Sequence, residues 1–502
     1  MSTASRPRLV IVFVVDGLRP DAITPGDTPT LARLRAEGVD FTNSHAVFPT
    51  VTRVNAATLV TGAQPGTHGI TGNQMYVPAV NAGRPFSTDD YRHLARLDAA
   101  TGGRVLLVPT LAERLHAHGL RLAAVSSGST GSAWLLDPKA AAGVGVLVNG
   151  YFDPGTTVAY PADVNAAILG KFGPAPAKKG AERYDAAVAW SQRVLREYVL
   201  PALAPAVVVN WLTEPDHSQH VHGVGAPPAR EAVRTADREV AAVLETLVAL
   251  GLAETTDVFV ASDHGFTSNS AGIDVVGALV AAGLKASRES DDVVLASSGQ
   301  AFGLHVKGHD RERVTRLARF VQSREWGGVV CTAARAAGAA EGVVEGTFSL
   351  GLVHLASAER APDIVVGFPW TSAVNAFGVP GRDLANVAAG ATPYASDHGS
   401  LSPWNVRNTL LAWGPDFKRG VTVRVPAGNV DVTPTILALL GIADHDGLDG
   451  RVLAEALRDR PDAEQVMVET AIHTVRGDGY RAAIQVSVVD GRRYVDKGWR
   501  IA

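Results

Sequence analysis

The tetrapeptide Ser-Asp-His-Gly stands twice in this chain, at Ser262–Gly265 and at Ser396–Gly399. Each copy sets a carboxylate beside an imidazole. Two further fragments share that chemistry: Asp16 follows the apolar run Leu9–Val15, and Asp216 precedes His220 by four residues. On a helix that spacing brings both side chains to one face, where a metal takes them readily. Three Asp and three His suffice to hold two divalent cations, and oxygen-plus-imidazole ligation suits Zn or Mn. Hydrolysis at a two-metal centre is the chemistry such a set would do.

These side chains lie far apart in sequence, so a fold must gather them. Leu9–Val15 is a continuous apolar run, as expected of a strand buried on both faces. Arg121–Val125, Ala206–Leu212, Asp257–Ala261 and Thr409–Trp413 are further strand candidates, and they alternate with helical patterns. That alternation predicts an α/β core, a mostly parallel sheet flanked by helices. Asp16, Asp216 and Asp263-His264 then fall at the C-terminal ends of strands, the edge where open α/β sheets bind ligands. One such Asp would be read as a helix cap; three in the same placement point to a site. Thr28 as N-cap, Pro29 and a stop at Gly38 predict a short helix. Glu231 to Leu250 predicts a long amphipathic one ending at Gly251.

The distant ligands imply one catalytic core, residues 1–265 and 396–460, with an insertion at about 76–205. Within that insertion, Leu111–Gly128 reads as another helix-strand unit of the core. The Gly/Ala-rich segment 266–395 reads as an inserted smaller α+β cap, and 461–502 as a strand hairpin packed on the core, turning at Asp490-Gly491.

The chain has 502 residues, 46% hydrophobic and 19% charged, with a net charge of −4. That is ordinary globular composition, with no electrostatic case for a nucleic-acid polymer or a membrane surface. The single cysteine, Cys331, excludes an internal disulfide framework and a thiolate metal site. Arg6 and Arg8 before an apolar run imitate a signal peptide, but the run leads into Asp16-Gly17-Leu18-Arg19 instead of a small-residue cleavage site. No stretch reaches the roughly 18 apolar residues of a membrane span. The expected location is cytoplasmic.

The segment Phe48–Gly62, which reads FPTVTRVNAATLVTG, resembles the nucleophile region of the nucleotide pyrophosphatase/phosphodiesterases of the alkaline phosphatase superfamily. The likeness continues through Pro65–Ile70, Asn73–Tyr76, Glu214–His220, Ser262–Gly265 and Asp397–Gly399, in the family's order. It implies an alkaline phosphatase-like core with Thr52 as nucleophile and Asn73 steadying the phosphoryl oxygens. One Zn2+ would be held by Asp216, His220 and His398, the other by Asp16, Asp263, His264 and Thr52, with Mn2+ as the alternative ion. Independently, a threonine hydroxyl needs a metal or base to become a nucleophile. Thr52 also begins a helix predicted to run to Thr61, where backbone N–H groups favour an anion.

The implied activity is cleavage of phosphodiester or phosphoanhydride bonds in a small phosphorylated substrate, through a phosphothreonine intermediate. Arg53 stands where eukaryotic members carry an aromatic residue. It is read either as a substrate-binding group for a phosphate or carboxylate, or as a surface residue. A phosphonate or phosphomonoester hydrolase on the same core, like phosphonoacetate hydrolase, is the close competitor. The hydroxyls and glycines at Ser126–Ser132, where that enzyme uses lysines, count against phosphonoacetate itself. A Cys/Ser-x-Pro-x-Arg sulfatase motif is missing from Val51–Asn55. A catalytically idle relative that binds phosphorylated ligands is the reading from another class. His45, His68, His217 and His222 are expected at the surface or supporting a ligand, Asp397 to orient a neighbour, and His116, His118, His305 and His309 to be structural or exposed.

Overall fold

The computed structural model describes residues 8–150, 157–176, 183–357, 359–444 and 446–501; Arg6 lies outside them. Its centre is a nine-stranded sheet formed by β1 (Leu9–Val15), β2 (Val39–Phe41), β3 (Leu122–Ser126), β4 (Val146–Asn149), β5 (Ala159–Tyr160), β6 (Val207–Leu212), β7 (Thr256–Ala261), β8 (Leu410–Trp413) and β9 (Val421–Val423). The strand order is β9-β2-β8-β7-β1-β6-β3-β4-β5. β1 pairs in parallel with β7 and β6, and β3 with β6 and β4, while β8 and the edge strand β5 run the other way. The expected mixed, mostly parallel sheet flanked by helices is the one observed. β1 shows why the sheet is central: Val10, Val12 and Val14 join the hydrophobic cluster on one face, and Leu9, Ile11, Phe13 and Val15 that on the other. Every residue of the strand is buried, the two-sided burial of an interior parallel strand.

The strands expected in the central sheet are placed to within a residue, whereas the long helix expected from Glu231 begins four residues earlier, at Pro227. The Pro29–Glu37 helix starts at Thr28 and stops at Gly38, but Thr28 does not cap it; its hydroxyl donates to the Thr24 carbonyl. The capping acceptor is Asp237, on the Pro227–Ala249 helix, whose carboxylate takes the N–H groups of Thr30 and Leu31. A cap from another helix satisfies the same orphan donors but leaves no local sequence mark.

Beyond the central sheet, Val293–Ser298, Ala301–Val306, Val329–Thr332, Phe348–Ser349 and Ile364–Gly367 form a five-stranded sheet with its own hydrophobic cluster. The C-terminal hairpin is Tyr480–Val489 with Arg492–Arg500, and a third strand, Glu469–Gly477, pairs with it; the sequence reading did not include that strand. Tyr480, Ala482, Ile484 and Val486 pack into the five-stranded sheet's cluster, while Val489 and Tyr494 pack into the central one. The C-terminal strands therefore tie the two bodies together.

Candidate functional site

Four pieces of chain converge at the C-terminal edge of the central sheet. Asp16 follows β1, the Asp216–His222 helix follows β6, and Asp263-His264 follow β7. His398 arrives from Ser396–Asp397, which pairs with the Thr267–Ile273 strand. Both glycines of the repeated tetrapeptide are demanded by close approach. A Cβ on Gly265 would lie 2.0 Å from the Trp404 carbonyl oxygen, and one on Gly399, at φ +126°, 2.1 Å from that of Ser298. Replacing either would push the backbone that carries the neighbouring imidazole.

The six predicted ligand side chains form one cluster. Asp216 Oδ1 lies 3.4 Å from His220 Nε2 and 3.4 Å from His398 Nε2. His264 Nε2 lies 3.1 Å from Asp263 Oδ2, 3.6 Å from Asp16 Oδ1 and 4.0 Å from Asp216 Oδ1. Two overlapping groups of donor atoms result: Asp216 with His220 and His398, and Asp16 with Asp216 and His264. Asp216 thus belongs to both groups, a sharing the linear motifs do not show.

Each imidazole is held the same way. Nδ1 of His220 faces the Ser396 carbonyl at 3.0 Å, that of His264 the Gly265 carbonyl at 2.9 Å, and that of His398 the Thr50 carbonyl at 2.9 Å. A carbonyl accepts only, so Nδ1 carries a proton and Nε2 is turned into the cluster, where a cation can take its lone pair in place of a proton. The carboxylates tell the same story. Asp16 Oδ1, Asp216 Oδ1 and Asp263 Oδ2 are buried without a hydrogen-bond partner, which is costly unless a cation satisfies them. Their other oxygens are engaged where a partner exists: Trp211 Nε1 donates to Asp16 Oδ2 at 2.9 Å, and the Gly17 N–H to Asp263 Oδ1 at 3.1 Å. The donor set fits divalent cations.

Charge is crowded here. Burial, then the carboxylates of Asp263 and Asp216, push Asp16 well above the usual carboxylate range. Burial would raise Asp216 as well, but the imidazoles of His220 and His398 prevail and hold it well below. Burial disfavours a charge on His220, yet Asp216 outweighs it and lifts the imidazole to about 9. His264 is raised similarly, Asp263 prevailing over burial, whereas burial and the stacked His264 ring lower His398. Carboxylates opposing one another's ionisation in a dry site are relieved by positive charge placed between them.

Thr52 opens the Thr52–Thr61 helix, and its Oγ1 is 3.3 Å from His264 Nε2. The loop before it is pinned by Asn55, whose side chain accepts from the Val47 N–H and donates to the Val47 and Val51 carbonyls. Asn73 Oδ1 accepts from the Arg53 N–H at 3.4 Å. Thr52, Arg53, Asn73, Asp216 and His398 all border one cavity of about 580 Å³.

The remaining candidates separate cleanly. Asp397 accepts the His398 N–H and sits 3.8 Å from His220 Nδ1. His217 lines the cavity and stacks on Tyr184; His222 is half-buried on the same helix. His45 is buried and pairs with Asp496, and His68 is buried against Thr58 and driven by burial to about 3, hence neutral. His116, His118 and His309 are exposed, while His305 is buried beside Tyr76. Trp211 and the carbonyls of Thr50 and Ser396 are positioning groups the sequence reading missed. A buried indole N–H requires an acceptor, but nothing in the sequence says that the acceptor is Asp16.

The profile of the type I phosphodiesterase / nucleotide pyrophosphatase family matches residues 10–368. Among curated relatives, the chain is 26% identical over 262 residues to ectonucleotide pyrophosphatase/phosphodiesterase family member 1 of Mus musculus, covering 52% of this chain and 24% of that protein. It is 26% identical over 268 residues to a venom phosphodiesterase of Naja atra (52% and 26%) and 25% over 262 residues to one of Crotalus durissus collilineatus (51% and 26%). The chain thus spans about a quarter of the length of the relatives it matches. A metal-fit cluster of Asp and His at the sheet edge, a threonine at a helix start beside it and a profile match through most of the chain agree: this protein belongs to the type I phosphodiesterase / nucleotide pyrophosphatase family.

Proposed function

We propose that this protein hydrolyses phosphodiester or phosphoanhydride bonds through a phosphothreonine intermediate at a two-zinc site, with Mn2+ as the alternative ion. The observation that carries the reading is the convergence of three partnerless carboxylate oxygens and three Nε2 atoms beside the Thr52 hydroxyl. Asp216, His220 and His398 would hold one cation and Asp16, Asp263, His264 and Thr52 the other, supplying positive charge to the entering and leaving oxygens. Thr52 Oγ1 gives up its proton to solvent and attacks phosphorus; the P–O bond to the ester or anhydride leaving group breaks, and the departing oxygen leaves as an anion or takes a proton from water. Asn73 and the N–H groups at the helix start bind the non-bridging oxygens as charge builds on them. Water then attacks the phosphorylated Thr52, regenerating the hydroxyl and releasing phosphate or a phosphomonoester. The Ser396, Gly265 and Thr50 carbonyls keep the three Nε2 lone pairs directed inward throughout. On this reading the substrate is a small phosphorylated compound, and 266–395 is a cap that completes the cavity over the core.

A metal-replete preparation assayed on diesters, nucleotides, monoesters and phosphonates tests this. Diester or anhydride turnover is expected, abolished by chelation and restored by Zn2+. Preference for a monoester or phosphonate would replace the diester reading with that one. A fully metallated protein inert on the whole panel would overturn catalysis in favour of a binding role.

A further inference from the structure

Among the described residues, Arg53 is the only Lys or Arg bordering the cavity. Among the described residues no carboxylate forms an ion pair with its guanidinium, although Asp89 borders the same cavity; its buried Nε, like those of Arg114, Arg451 and Arg493, has no hydrogen-bond partner. Other buried arginines are committed: Arg19 to Asp21 and to two carbonyls, Arg451 to Glu455, Arg360 to backbone carbonyls. A guanidinium without a counter-ion beside a nucleophile is available to a planar or tetrahedral oxyanion. The same cavity is bordered by the hydroxyls of Ser87, Ser129, Ser132 and Thr213, which suit a hydrophilic tail, and its apolar lining includes Val387 and Pro393.

Resting on the phosphodiesterase reading above, we propose that Arg53 is a specificity-determining residue that binds a second anionic group, a phosphate or carboxylate, on the part of the substrate beyond the scissile phosphorus. The substrate class is then a diester or anhydride with a polar tail ending in an oxyanion. The scissile phosphoryl group has Thr52, Asn73 and the helix-start amides, so the guanidinium is available to the tail.

The test uses a matched pair of substrates, p-nitrophenyl 3-hydroxypropyl phosphate and the same diester phosphorylated on its terminal hydroxyl. A carboxylate-tailed ester serves as the third arm. The wild type is expected to favour an anionic tail, and the third arm shows which anion. Arg53→Gln should lower kcat/KM for the preferred anionic ester, chiefly through KM, by about 10- to 100-fold more than for the neutral one. Arg53→Lys should fall between, keeping charge but losing the fork. Equal losses on charged and neutral tails would place Arg53 on the scissile phosphoryl group and overturn the proposal, as would no loss. Should the wild type hydrolyse none of the three, the phosphodiesterase reading fails. Calorimetric binding of the same esters to the wild type and Arg53→Gln then decides the role of Arg53 without turnover.

Discussion

Around the cavity, Asp16, Thr52, Asp263, His264 and His398 are each at most 4% exposed, whereas Ala388, Ala391, Thr392 and Tyr394 lie open to solvent, Tyr394 at 61%. The first group stands on strand ends and a helix start, its aspartates and histidines held by Trp211, Gly17 and two backbone carbonyls. The second belongs to the irregular stretch between Asn386 and Ser396. The difference separates two tasks. Chemistry needs positions held to fractions of an ångström, which packed elements supply; selection among tails falls to less buried groups, Arg53 at the helix start and the loop residues, where change is better tolerated.

That contrast can be broken. Thr52→Ala should abolish turnover, by roughly a thousand-fold or more, while bound metal stays near normal; retained activity would remove Thr52 from the chemistry. Asn73→Ala should lower kcat by about a hundred-fold with KM little changed, since its amide acts on charge that develops in the transition state. A pure KM effect would make it a ground-state contact. Tyr394→Ala, on the open side, should change KM within roughly tenfold and leave kcat nearly intact; a kcat loss as large as that of Asn73→Ala would erase the distinction between the two sides.

The smallest effect concerns a partnerless carboxylate elsewhere. Asp137 is fully buried with Oδ2 unpaired, yet it stands alone, and burial pushes it up to about 7. Its folded-state value lies above the unfolded value of about 3.9, so the folded state holds the extra proton. Its contribution to stability is therefore present below about pH 4 and is lost as pH rises through 7, at no more than about 1.4 kcal/mol per pH unit. Asp137→Asn should gain in melting temperature relative to the wild type between pH 5 and pH 8. A pH-independent difference would show that Asp137 is ionised in the folded state. Asp16, Asp216 and Asp263 differ by converging.

Reading from the chain alone reached far where the signal is local. The Thr52–Thr61 helix, the apolar strand Leu9–Val15 and the Asp216/His220 pair are written in consecutive residues. The third C-terminal strand was not legible, because Glu469–Gly477 is mostly exposed and carries little apolar alternation. Nor was the cap on the Pro29–Glu37 helix, where Thr28 carries the right side chain and Asp237, about two hundred residues away, does the capping.

By itself, the order of residues determined which side chains are available for catalysis and that strand ends would carry them, because periodicity and turn chemistry act over a few residues. Tertiary structure alone decided that Asp216 is shared between both donor groups, that Trp211 holds Asp16, and that Arg53 is left without a counter-ion. Those facts depend on the distance between segments hundreds of residues apart, and electrostatic and hydrogen-bond energies fall off within a few ångströms. No local pattern can encode them.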